Sequence, residues 1–198
     1  MIKGEPQSLD TKARGNAGSS DTFVNLPPAK SASGPTTVWI LGDQLSLQNS
    51  ALLRAPREET TVLMVESKAR GSFLKYHQVK LVLVYSAMRH FADSLRLEGW
   101  RVEYHELDEG LTFETAAKLH IQRCHPARIL VAQPNSFFET DALQKLGRKL
   151  RIAVEFVPTG QFLLPREEFQ AWAAGSKRLI MENHYRRMRK RHQWLAGM

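Results

Sequence analysis

The stretch KYHQVKLVLVYSAMRHFADSLRLEGW, residues 75–100, decides how the chain is read, because its apolar groups fall on two competing templates. Val79, Val82, Leu83, Met88, Phe91, Leu95 and Leu97 recur mostly three, four or seven apart, which is the spacing of one helix face. The β-branched run at residues 81–84 instead fits a short buried strand broken at Ser86. The segment has no Pro, and its only Gly, Gly99, stands where a helix of about six turns would stop, so the helix is the better reading. His77, Lys80 and Val84 then lie near one face, with Arg89 and His90 further along.

With a helix placed there, its neighbours form a strand–helix rhythm. TTVWIL (residues 36–41) reads as a first strand buried on both faces and stopped by Gly42 and Asp43, and Ser46 is positioned to cap a short helix, SLQNSALLR. TTVLMVE (60–66) is a second strand ending in an acid. RVEYHEL (101–107) alternates and reads as a more exposed strand. Residues 112–124 read as a helix, ARILVA (127–132) as a buried strand, 136–150 as mostly helix and RIAVEFV (151–157) as the last strand. The expected fold is therefore α/β, a Rossmann-like open parallel five-stranded sheet with helices on both faces. After Pro158 a short helix is expected from Pro165 and a basic helix over 177–194. Residues 1–35, rich in Gly, Ser and Pro without periodicity, are expected to be disordered.

At 198 residues with 42% hydrophobic and 24% charged residues, the chain suits one soluble domain with extensions. No apolar run is long enough to span a bilayer and no secretory leader is evident, so a cytoplasmic protein with no membrane partner is expected. Cys124 is the sole cysteine, which excludes disulfides, CxxC redox pairs and four-thiolate clusters within the chain. Of the net charge of +8, a share of +6 falls in KRLIMENHYRRMRKRH (177–192), where Lys177, Arg178, Arg186, Arg187, Arg189, Lys190 and Arg191 face Glu182 alone. That segment is the candidate nucleic-acid contact, although an apolar stripe crossed by so many cations fits half of a protein interface equally well.

The chemistry expected of an open parallel sheet lies beyond the carboxyl ends of its strands. Gly42, Asp43 and Gln44 stand there, as do residues 66–70, Asp108 and residues 133–136. Gly42 lets a ligand approach the backbone, and Asp43 with Gln44 offers an acceptor and an amide, but GDQL is also an ordinary turn. GxGxxG, GxxxxGK[ST] and GxSxG are absent, the histidines show no metal-ligand spacing, and Cys124 reads as a small packing residue. No catalytic group and no metal site is identified.

VWILGDQL (38–45), VLMVE (62–66), His77 followed by Lys80, SAMRHFA (86–92) and MENHYRRMR (181–189) together resemble the deoxyribodipyrimidine photolyase-related family, the iron-sulfur bacterial branch of the cryptochrome and photolyase superfamily. The resemblance covers residues 36 to about 194 and implies an N-terminal α/β antenna-type domain over 36–158, which can hold a light-harvesting pigment, a ribityl-lumazine in characterised members. It places Leu41, Gly42, Asp43, Gln44 and Leu45 on the loop facing the pigment and Glu66 at the acid ending the second strand. Arg70 and Gln133 stand where relatives often carry carboxylates; an acid replaced by Arg favours an anionic or phosphate-bearing chromophore, or leaves the site without a ligand. By the same resemblance, residues 159–198 are the linker and first helix leading into a helical domain that binds FAD, the DNA lesion and a 4Fe-4S cluster, so the expected product is a truncated antenna module without repair activity of its own. The alternatives are one half of a split photolyase acting with a separate catalytic FAD-binding subunit, and an adaptor binding DNA weakly through its basic helix.

Overall fold

The computed structural model describes residues 34–72 and 74–194; the expectation of disorder before residue 34 falls outside the described residues. Five parallel strands, β1 (Thr36–Ile40), β2 (Thr60–Val65), β3 (Arg101–His105), β4 (Arg128–Ala132) and β5 (Ala153–Val157), form one sheet in the order β3-β2-β1-β4-β5. β1 and β4 are buried at every position, as their unbroken apolar runs require, whereas β3 at one edge is mostly half-exposed. The expected α/β architecture is thus present.

Alternation along the strands divides the core in two. Val38, Ile40, Val62 and Met64 face α1 (Ser50–Arg54) and α3 (Gln78–Leu97), which contribute Ala51, Leu52, Met88, Ala92 and Leu95. Trp39, Leu41, Leu63 and Val65 face α4 (Phe113–Cys124) and α5 (Phe137–Leu150), which contribute Ala116, Ala117 and Leu143. The 75–100 stretch is helical as read: His77 caps it by accepting from the Val79 N–H, and Gly99, at φ 84°, takes the left-handed conformation that releases the chain into β3. A short α2 (Lys68–Gly71) follows β2.

Two expected boundaries are corrected. Ser46 does not cap α1; Asn49 does, accepting from the Ala51 N–H, while Ser46 holds a turn by accepting from the Gln48 N–H. The basic helix α7 is Met181–His192 and not 177–194, and a separate α6 (Arg166–Ala174) precedes it. No helix among the described residues is long and apolar enough to cross a membrane.

Gly147 lies where α5 meets β5. A Cβ there would sit 2.7 Å from Val154 Cγ2 and 3.0 Å from the Ile152 carbonyl oxygen, and a backbone atom cannot step aside cheaply. Gly147→Ala gains about 1 kcal/mol of helix propensity but incurs overpacking of about 1–3 kcal/mol. A net loss centred on about 1 kcal/mol, and no more than about 2, is expected in urea denaturation; a raised midpoint would show that the contact relaxes freely.

Candidate functional site

The carboxyl ends of the strands gather the residues read as a site, and β1 and β4 form the point where the connections diverge. The chain leaving β1 enters α1 on one face, and that leaving β4 enters α5 on the other. Gln44 staples this point shut: its buried amide donates to the Ala132 carbonyl at 2.8 Å and its own carbonyl accepts from Asn49 Nδ2 at 3.1 Å. Gln161 crosses above, accepting from Asn135 Nδ2 and donating to the Asp43 carbonyl. Asp43 is exposed and Leu45 packs into the α1–α3 core. A Cβ on Gly42 would lie 3.2 Å from Met88 Sδ and 3.3 Å from Val84 Cγ1, so the glycine admits α3 rather than a ligand.

Glu66 has no exposed side-chain surface, and its acceptor positions are filled from within the chain. Oε1 accepts from Arg89 Nε at 2.7 Å and Tyr104 OH at 2.6 Å; Oε2 accepts from Arg89 Nη2 at 2.9 Å and the Leu107 N–H at 2.8 Å. Burial alone would raise its pKa, but these four donors more than offset burial and hold it below the ordinary carboxylate value. Glu66 thus locks α3 and β3 to the end of β2. The backbone of Arg70 belongs to α2; its side chain is outside the description.

Of the residues read as pigment contacts, Leu41 reaches a cavity. The cavity, about 590 Å³, lies between the first turn of α4 and the length of α5 beyond β1 and β2, with Leu41, Ala69, Phe113, Phe138, Leu143 and Leu146 in its walls. Lys149 and Glu114 pair at 2.6 Å on its wall, and Phe138 is exposed. Beneath it Trp39 packs edge-on to Phe113, centroids 5.4 Å apart, and its buried indole N–H has no partner among the described residues. Sequence reading missed the helical half of this site, because Phe113 and Phe138 look like ordinary first-turn residues until α4 and α5 are set side by side.

A second concavity of about 640 Å³ runs under the 158–165 segment to α6 and α7, with Phe156, Leu164, Phe169 and Met188 among its walls. His184 of α7 packs on Trp172 and Phe169 of α6 at 5.0 and 5.7 Å, which turns the cations of α7 outward. Of the seven basic residues, Arg186 is tied to Glu182 and Arg191 to Glu168, Arg189 lies over the Tyr185 ring, and Lys177, Arg178, Arg187 and Lys190 are exposed.

Over residues 38–197 the sequence matches the family described as deoxyribodipyrimidine photo-lyase-related protein. It is 36% identical over 157 residues to a (6-4) photolyase of Agrobacterium fabrum, a match covering 78% of this chain and 31% of that protein. A crystal structure of a bacterial class III photolyase from Agrobacterium tumefaciens superposes with a TM-score of 0.49 at 17% identity, covering 76% of this chain and 31% of that one. A universal stress protein family member from Burkholderia pseudomallei gives a TM-score of 0.33 at 12% identity, covering 62% and 96%. The chain therefore spans about a third of the length of the photolyases it matches.

Proposed function

The chain belongs to the deoxyribodipyrimidine photo-lyase-related protein family, and from that premise we propose that its α/β unit holds a planar heterocyclic pigment between α4 and α5 and serves as the antenna of a photolyase-type assembly. The observation that carries this reading is the cavity of about 590 Å³ at the ends of β1 and β2. Its size is that of a small-molecule site, roughly 300–1,000 Å³. Phe113 and Phe138 supply faces for stacking, and Lys145 and Lys149, paired with Asp141 and Glu114, supply cations for an anionic group that displaces those carboxylates. A bound pigment would absorb light and pass its excitation to a flavin; these residues would bind it, orient it and keep water away. Repair of a DNA lesion needs that flavin, and with it the FAD-binding part and iron-sulfur cluster that relatives of this family bring, on the same polypeptide or on a catalytic subunit.

The test is to mix the chain in the dark with a ribityl-lumazine and follow quenching of the pigment's fluorescence. Ala142→Trp, which fills the cavity from the exposed side of α5, should weaken binding at least about tenfold, a change of roughly 1.4 kcal/mol, at unchanged melting temperature. Asp43→Ala separates two placements: it abolishes binding if the pigment sits on the loop after β1, and leaves binding intact if it sits between α4 and α5. Binding that survives Ala142→Trp would reject the cavity.

A second reading rests on a separate observation, the outward cations of α7. They favour weak, sequence-independent binding of DNA phosphates. Phe162, Leu163, Leu179, Ile180 and Met181 are exposed beside them, and favour cover by the catalytic part.

A further inference from the structure

We propose that Glu103, His120 and Cys124, with His105 held on Glu103 at the rim, form a binding site for a zinc-type divalent metal ion that clips the edge strand β3 to α4. Glu103 and His105 are two apart on a strand and so share a face; His120 and Cys124 are four apart on a helix and so share another. Strand register sets Glu103 beside Leu63 and His105 beside Val65, residues of the core that α4 covers, so the two pairs of side chains meet. The Glu103 carboxylate lies 2.9 Å from His120 Nδ1, 2.8 Å from His105 Nε2 and 3.8 Å from Cys124 Sγ. The ligand atoms of Glu103, His120 and Cys124 all fall within 4.8 Å of one another.

A tetrahedral zinc ion with bonds of about 2.0–2.3 Å separates its donors by about 3.3–3.8 Å. The Cys124–Glu103 spacing already matches, and the His120–Glu103 contact needs to open by about half an ångström, within reach of a small side-chain rotation, with water in the fourth position. The donor set of an imidazole, a thiolate and a carboxylate suits zinc over the hard cations. Metal entry forms the S–metal bond as the Cys124 thiol releases one proton to solvent.

The surroundings favour a metal over catalysis. Thr37 Oγ1 at 2.7 Å from His120 Nε2, with Glu103 on the other ring nitrogen, repeats the order of a nucleophile–base–acid relay, but Thr37 and His120 have no exposed surface for a substrate to meet. The same hydroxyl instead fixes the ring: without a metal Nδ1–H donates to Glu103 and Nε2 accepts from Thr37, and with the ion on Nδ1 the ring proton moves to Nε2 and donates to Thr37 Oγ1, as outer partners of metal-bound histidines do. Arg123, 3.3 Å from Glu103 and 64% exposed, is the group that must swing into solvent as the ion enters.

Titration of the reduced full chain with Co²⁺ and Zn²⁺ tests the site. One equivalent of Co²⁺ should give intense visible d–d bands of tetrahedral geometry and a near-ultraviolet thiolate-to-cobalt band, both erased by Zn²⁺, with one proton released from the thiol. Cys124→Ser should remove the thiolate band, and His105→Gln, at the rim, should weaken Zn²⁺ binding about 10–100-fold; far-ultraviolet circular dichroism reports that both variants fold. Binding below one equivalent, a weak octahedral spectrum, or affinity equal to wild type in both variants would overturn the proposal.

Discussion

Glu66→Ala should destabilise the fold by about 3 kcal/mol, seen as a lowered urea midpoint at unchanged slope. The cost has two sources. Tyr104 OH and the Leu107 N–H lose their acceptor in a place where water cannot replace it, at roughly 1–3 kcal/mol each. Arg89 loses a bidentate partner, but its side chain is half-exposed and retreats into solvent or to Glu106 at 3.5 Å, so its share is small. In a chain of this size the loss corresponds to a fall in melting temperature of roughly 6–12 °C. Acid sensitivity follows from the same geometry. The folded-state pKa of Glu66 lies below its ordinary value of 4.5, so its contribution is complete above that value and is lost as pH falls through the folded one. Glu66→Gln should therefore flatten the acid limb of stability against pH while leaving the limb above neutrality unchanged. A cost under about 1 kcal/mol for Glu66→Ala would mean that water enters the network.

Glu66 also shows where sequence reading succeeds and where it stops. That an acid ends β2 was legible, since an apolar strand closing on a carboxylate is a local pattern. That Arg89, Tyr104 and Leu107 converge on it was not, because these contacts join three elements through packing that no spacing records. β1, β2 and β4 were legible because they are buried on both faces, where continuous apolar and β-branched runs leave few alternatives, and β3 by its alternation; strand boundaries shifted by only a residue or two. The 75–100 stretch was legible as a helix although Val79, Val82 and Leu83 turned out exposed, because the stripe that packs, Met88, Ala92 and Leu95, keeps its spacing three and four apart. The cluster at Glu103 went unread, since its two halves carry different periods, two on a strand and four on a helix, and meet only once α4 is laid over β3. The apolar stripe read across residues 177–192 is divided: the structure covers Met188 against the concavity under residues 158–165 and leaves Leu179, Met181 and Tyr185 exposed.

The exposed cations in and just before α7 should produce the second large effect. If Lys177, Arg178, Arg187 and Lys190 each neutralise one phosphate, the slope of log affinity against log salt is about −3.6, and affinity for duplex DNA falls roughly 150-fold between 50 and 200 mM salt. Arg186 and Arg191 are left out of that count because Glu182 and Glu168 already compete for them, and Arg189 because it is half-buried over the Tyr185 ring. Removing the charge at Arg178, Arg187 and Lys190 together should lower the slope by about 2.7 and leave the affinity indifferent to DNA sequence, since phosphate contacts carry no base information. The three side chains are exposed, so the triple Ala variant should melt with the wild type. Arg186→Ala alone should change the slope by less than any of the three, because that guanidinium already has a carboxylate to leave. An unchanged slope in the triple variant would move the contact elsewhere and leave α7 to the apolar surface beside it, where Met181 and Tyr185 are exposed.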